Sequence, residues 1–243
     1  MILLNIITYG HPDHEKILLL HPMFTNAHFF DFSIDKWIDQ YYLIIPTYKG
    51  HDSHSTYIST EDEIKSIDAF LQEHHITHLK AVIGFSLGGN IAFQYFCQHK
   101  DCIDQVIIDS APLFKFPRFV KKYFYNKYKK CLLEIKKHPE KIVEALNQCF
   151  NGMGEAQQDV APMVTIESLK NLIESCYHNP MPKLDVFSQR KMTFVYGTKD
   201  IARLCIPRIK TYRESRIVKV SSFNHCGYFR KHIDDYIIQL IRQ

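Results

Sequence analysis

The chain has 243 residues, 46% of them hydrophobic and 23% charged, the composition of an ordinary folded protein long enough to bury a substantial core. A formal net charge of +4 gives no signal for a nucleic-acid partner. No apolar run approaches the ~20 residues needed to span a bilayer, so no integral membrane association is expected. Seven cysteines, odd in number and without a C-x-x-C pair, read as reduced thiols of a cytoplasmic protein rather than a disulfide framework or a zinc site.

Taken in chain order, the apolar start lacks a basic n-region and a small-residue cleavage site, so it predicts a first strand over Leu4–Tyr9 and not a signal peptide. Further β-type runs follow at Ile17–His21, Leu43–Ile45, Lys80–Gly84, Gln105–Asp109, Thr193–Tyr196 and Arg216–Val220. Segments of helical period separate them. In Thr60–His74 an apolar stripe of Ile64, Ile67, Ala69, Phe70 and Leu71 follows a Thr60/Glu63 capping box. Arg230–Arg242 places Ile233, Tyr236, Ile237, Leu240 and Ile241 on one face, a terminal helix for the sheet. This alternation predicts an α/β protein, a single domain over 1–243 with a mainly parallel central sheet and helices on both faces.

Between about Pro112 and Ser188 the alternation stops and the sequence turns helical, aromatic and basic, which predicts a helical cap inserted over one edge of the sheet. Pro180-Met181-Pro182 is the candidate return hinge. Residues 115–141 carry ten Lys/Arg against two Glu, so this stretch holds +8 and the rest of the chain −4. Such a run is either a solvated helix face or a guide for an anionic small-molecule substrate.

The chemistry centres on Gly84-Phe85-Ser86-Leu87-Gly88, an apolar strand that passes at once into helix-forming residues. A tight strand-to-helix turn there would strain the central residue and present its hydroxyl. A serine needs a histidine to take its proton and an acid to hold that histidine. His225 closes the last strand and its loop, and Asp200 closes the strand before it; in a parallel sheet both loops emerge on the edge that carries Ser86. Asp109, at the end of its own strand, competes with Asp200 for the acid role. Backbone N–H donors for an oxyanion would come from Leu87, at the helix start, and from the loop after Ile17–Leu20, Met23 first and Phe24 second. Phe24, Phe85, Phe119, Tyr123 and Met163 are the candidate pocket residues. Cys226, beside His225, reads as a small buried hydrophobe, and His21 and His51 as loop residues that hydrogen-bond near the site.

Together, Gly84-Phe85-Ser86-Leu87-Gly88-Gly89, His21-x-Met23-Phe24, Gly197-x-x-Asp200, Asn224-His225-x-Gly227 and the Pro46–Ser53 loop resemble an α/β-hydrolase from about Ile17 onward. The resemblance implies a lid at 112–188, Ser86, Asp200 and His225 as nucleophile, acid and base, and Met23 and Leu87 as oxyanion donors. It implies ester cleavage of the carboxylesterase type without metal or organic cofactor. Acyl transfer, amide cleavage, elimination on an acidic substrate and non-catalytic ligand binding are the other outcomes this fold allows. Two positions depart from the family pattern: Pro22 stands where glycine is usual after the histidine, which removes one N–H but leaves that of Met23, and Asp52 replaces a frequent glycine.

Overall fold

The computed structural model describes residues 4–234. Seven strands form one sheet: β1 (Asn5–Tyr9), β2 (Glu15–Leu20), β3 (Tyr41–Thr47), β4 (Leu79–Phe85), β5 (Ile103–Asp109), β6 (Met192–Gly197) and β7 (Arg216–Val220), in the order β1-β3-β2-β4-β5-β6-β7. β1 is antiparallel to β3 and every other neighbouring pair is parallel, so the mainly parallel α/β architecture holds. Each strand lies where its apolar run predicts. β3 extends beyond its Leu43–Ile45 centre because, after the β2 ladder stops at Ile44, the outer strand β1 accompanies it through Pro46 to Thr47.

Strand periodicity sorts the side chains into two cores. Leu18, Leu20, Val82, Val106 and Ile108 face helices α1 (Thr60–Glu73) and α2 (Leu87–His99), while Ile17, Leu19, Ala81, Ile83, Phe85 and Ile107 face Phe29, Phe30, Trp37 and Phe229. The cap of α1 differs from expectation. Ser59, not Thr60, is the N-cap, accepting from the Asp62 N–H at 3.1 Å, and Thr60 is the first helical residue. The Glu63 side chain is therefore turned inward and fully buried.

Between β5 and β6 the chain makes α3 (Arg118–Lys137), α4 (Ile142–Phe150), α5 (Gly154–Gln157) and α6 (Ile166–Tyr177), then α7 (Val186–Arg190) leads into β6. The two ends of the helical insert are tied to each other. Phe116 N–H donates to the Tyr177 carbonyl (3.0 Å), Asn179 N–H to the Phe114 carbonyl (3.1 Å), and the buried Asn179 amide to the Cys176 carbonyl (2.8 Å). The chain thus leaves and returns at one stem, immediately before Pro180. After β7 a short helix spans Gly227–Lys231; most of the terminal helix expected over Arg230–Arg242 lies outside the described residues. Among the described residues no helix is long and apolar enough to cross a membrane.

Candidate active site

Ser86 sits between the last residue of β4 and the first of α2 with φ 54 and ψ −112, a left-handed conformation that a non-glycine residue adopts only under constraint. The constraint is packing. A Cβ on Gly88 would meet the Leu20 carbonyl oxygen at 2.1 Å, so glycine there lets the first turn of α2 press onto the end of β2. Ser86 N–H donates to the Asp109 carbonyl (2.8 Å), which fastens the turn to the neighbouring strand, and its side chain is left partly exposed.

His225 arrives from the other side of the sheet edge. Gly197 makes this possible, since a Cβ there would meet the Phe223 carbonyl oxygen at 2.2 Å. The loop is held by the Lys199 N–H on the Phe223 carbonyl (2.9 Å) and by the Cys226 N–H on the Ser110 hydroxyl (2.9 Å). Cys226 itself is fully buried, as its reading as a packing residue anticipates. His225 Nε2 lies 2.8 Å from Ser86 Oγ and Nδ1 lies 3.0 Å from Asp200 Oδ1, so the three predicted side chains meet in sequence. Asp200 is 2% exposed and also accepts the Ala202 N–H at 2.9 Å.

The charges around this chain are mutually adjusted. Burial alone would raise the Asp200 pKa, but the His225 charge and the bonds from His225 and Ala202 hold it below the ordinary carboxylate value. Burial alone would lower His225; the charge and hydrogen bond of Asp200, with the charge of Asp109, raise it instead. Asp109 does not replace Asp200. It is buried at the end of β5, its Oδ1 accepts the Ser110 hydroxyl (2.7 Å), and burial pushes its pKa up to about 7.

The two candidate oxyanion donors are oriented by their neighbours. Leu87 N–H belongs to the first turn of α2, whose donors the helix does not use. The peptide before Met23 is turned by its carbonyl: Pro22 O accepts from the Thr25 hydroxyl (2.8 Å) and from His21 Nδ1 (2.8 Å). His21 Nε2 accepts the Tyr48 N–H (3.3 Å), which assigns the proton to Nδ1 and keeps the ring neutral; burial drives its pKa well below 6.5. A trans peptide puts N–H opposite C=O, so the clamp on Pro22 O directs Met23 N–H away from it. Met23 O is held as well, by Gln157 Nε2 at 3.0 Å, a buried side chain from α5 of the insert. Sequence reasoning missed Gln157, and a single glutamine in Gly154–Gln157 offers no pattern to find it by.

Ser86, Asp200, His225 and Met23 line a cavity of about 550 Å³ roofed by the insert. Of the five predicted pocket residues, the wall includes Tyr123 alone. Phe24 lies fully buried, edge-on to Phe150 at 5.1 Å, and Phe150 is the ring on the wall. Phe85 packs in the opposite core, 4.4 Å from Phe229, because it shares a strand face with Ala81 and Ile83. Phe119 (75%) and Met163 (45%) point into solvent. The wall is built instead from Phe114, Phe116, Phe124, Tyr128, Phe150 and Tyr177. Of the ten basic residues in 115–141, Lys127 is the one on this wall; Lys121 pairs with Glu174.

Comparison with known proteins agrees with this architecture. Residues 17–132 match the family model of the α/β hydrolase fold. A marine microorganism esterase superposes with a TM-score of 0.75 at 16% identity, covering 100% of this chain and 99% of that one. The enol-lactonase from Burkholderia xenovorans LB400 gives 0.75 at 13% identity (98% and 95% covered), and an esterase from Exiguobacterium antarcticum 0.74 at 14% (99% and 96%). No curated protein matches the sequence. The chain has the α/β-hydrolase fold, and these likenesses support a hydrolase.

Proposed function

We propose that this protein is a serine hydrolase that cleaves a small carboxylic ester through an acyl-enzyme. The observation that carries the reading is the unbroken Ser86–His225–Asp200 hydrogen-bond chain opening on an apolar cavity. Ser86 Oγ attacks the acyl carbon as His225 Nε2 takes its proton; Nδ1–H donates to Asp200, which fixes the tautomer and stabilises the imidazolium. The tetrahedral oxyanion accepts the Met23 and Leu87 N–H groups, each such donor being worth about 3–4 kcal/mol in the transition state. His225 returns the proton to the leaving alcohol. Water, deprotonated by the same nitrogen, then attacks the acyl-enzyme and releases the acid and Ser86.

None of these steps calls on a metal or an organic cofactor. Seven cysteines, all free thiols in the structure, favour a cytoplasmic setting. The decisive experiment pairs fluorophosphonate labelling with p-nitrophenyl ester turnover in wild type and Ser86→Ala. Wild type should label and turn over short esters, and the variant should do neither, losing at least roughly a thousandfold in rate. A wild type that neither labels nor hydrolyses any short ester would sink the reading.

A further inference from the structure

The aromatic wall contains two hydroxyls that share one hydrogen bond. Tyr128 of α3 and Tyr177 at the end of α6 both line the cavity, both are 7% exposed, and their Oη atoms lie 3.0 Å apart. Burial raises the pKa of each phenol above its ordinary value, so both keep their protons at any working pH. Two neutral phenols carry two protons, and the bond between them uses one. Among the described residues neither hydroxyl makes another hydrogen bond. Around them stand carbon and sulfur: Phe124 packs 4.6 Å from Tyr177, Phe150 packs 4.6 Å from Tyr128, and the thiols of Cys149 and Cys176 on the same wall are weak acceptors. One buried O–H donor is left over, at a cavity surface, and buried polar groups are rarely left unpaired.

We propose that the Tyr128–Tyr177 pair is the polar subsite of this cavity, and that its ligand is a flat, largely apolar molecule carrying one neutral hydrogen-bond acceptor. The flat shape follows from the wall, where Phe114, Phe116 and Phe124 lie stacked with interplanar angles of 13° and 9°. The neutral acceptor follows from the surroundings. A carboxylate held against these rings would lose its water, and the one ammonium on the wall, Lys127 Nζ at 5.8 Å from the Tyr128 ring centroid, is exposed to solvent that screens it and donates to the Cys149 carbonyl at 3.3 Å. The subsite names the substrate class of the hydrolase proposed above and rests on that reading only for the ligand's fate. Its test reads binding and not turnover, so either idea can fail alone.

Quinoline and naphthalene have the same shape and differ by one ring nitrogen that can accept a hydrogen bond. Their affinities are to be measured by titration calorimetry on wild type and on the Y128F/Y177F double variant, which keeps both rings. The double substitution should weaken quinoline roughly five- to tenfold, the loss of one neutral hydrogen bond, and leave naphthalene within about twofold. The nitrogen-15 resonance of bound quinoline should show a hydrogen-bonded shift in wild type only. Equal losses for both ligands would mean that the pair merely ties α3 to α6. That result, undetectable quinoline binding to wild type, or tighter wild-type binding of 2-naphthoate than of quinoline would overturn the proposal.

Discussion

Asp109 and Asp200 stand near the same imidazole, and their environments set them apart. Asp200 receives hydrogen bonds from His225 and Ala202 and stays ionised. Asp109, buried with one oxygen facing Ser110, has its pKa pushed up to about 7 and carries only part of a charge near neutrality. Each contributes to raising His225, whose neutral form is the one that can act as base. The sign follows: kcat/KM should fall as pH drops through a midpoint above 6.5, and removing the Asp109 charge should lower that midpoint. For Asp109→Asn the acid limb of the kcat/KM profile is expected to move to lower pH with the plateau within a few-fold. An unmoved limb, measured by stopped-flow ester hydrolysis from pH 5 to 9, would remove Asp109 from the electrostatics of the site.

At the scale of elements, the insert does more than roof the cavity, because α5 reaches down to the loop that carries Met23. The Gln157–Met23 contact joins residues 134 apart in sequence and fixes one of the two peptides flanking the candidate donor. Gln157→Met keeps the length and removes the hydrogen bond. If the loop needs that bond, kcat should fall roughly tenfold or more with KM within about threefold, since a misplaced oxyanion donor costs the transition state and not the ground state. A purely structural contact would lower Tm and leave kcat per titrated site intact. The sequence is informative about elements of another kind. All seven strands are legible because β-branched runs between turn residues have no other economical use, and Ser86, Asp200 and His225 are legible because parallel strands deliver their ends to one edge. The cavity wall is not. Whether Phe119 or Phe116, Phe24 or Phe150 faces inward depends on how α3, α4 and α6 pack, and no periodicity in a single helix encodes that. Phe85 is the exception: its place in the alternation of β4 already assigns it to the far core. The shift of the α1 cap from Thr60 to Ser59 is a one-residue ambiguity between two hydroxyls, resolved only by which one is followed by helical backbone.

Over the whole molecule, four buried titratable groups pull stability in opposite directions with pH. His21 and His51 are buried neutral, His51 with a pKa lowered to about 4 and His21 well below its usual value, so the unfolded chain binds two more protons than the folded one below pH 6.5. Their contribution to stability is lost as pH falls through that value. Glu63 and Asp109 act the other way: burial raises Glu63 to about 8, against the pull of Lys49, and Asp109 to about 7, so the folded chain holds protons that the unfolded one has released. Between about pH 4.5 and 6.5 the two pairs nearly cancel. Above 6.5 the two buried-neutral histidines drop out, and stability should fall by about 1.4 kcal/mol per pH unit for each proton still held, about 2 kcal/mol by pH 8 from Glu63 alone. His225, raised by its acidic neighbours, adds to the decline while it remains protonated. The expected wild-type Tm is therefore flat from pH 5 to 6.5 and declines to pH 8, and Glu63→Gln should flatten the upper part of that decline. Thermal melts across pH 5 to 8.5 decide the matter: a wild-type Tm that rises above pH 6.5, or a Glu63→Gln curve parallel to wild type, would show that the buried carboxyl of α1 is ionised in the folded protein.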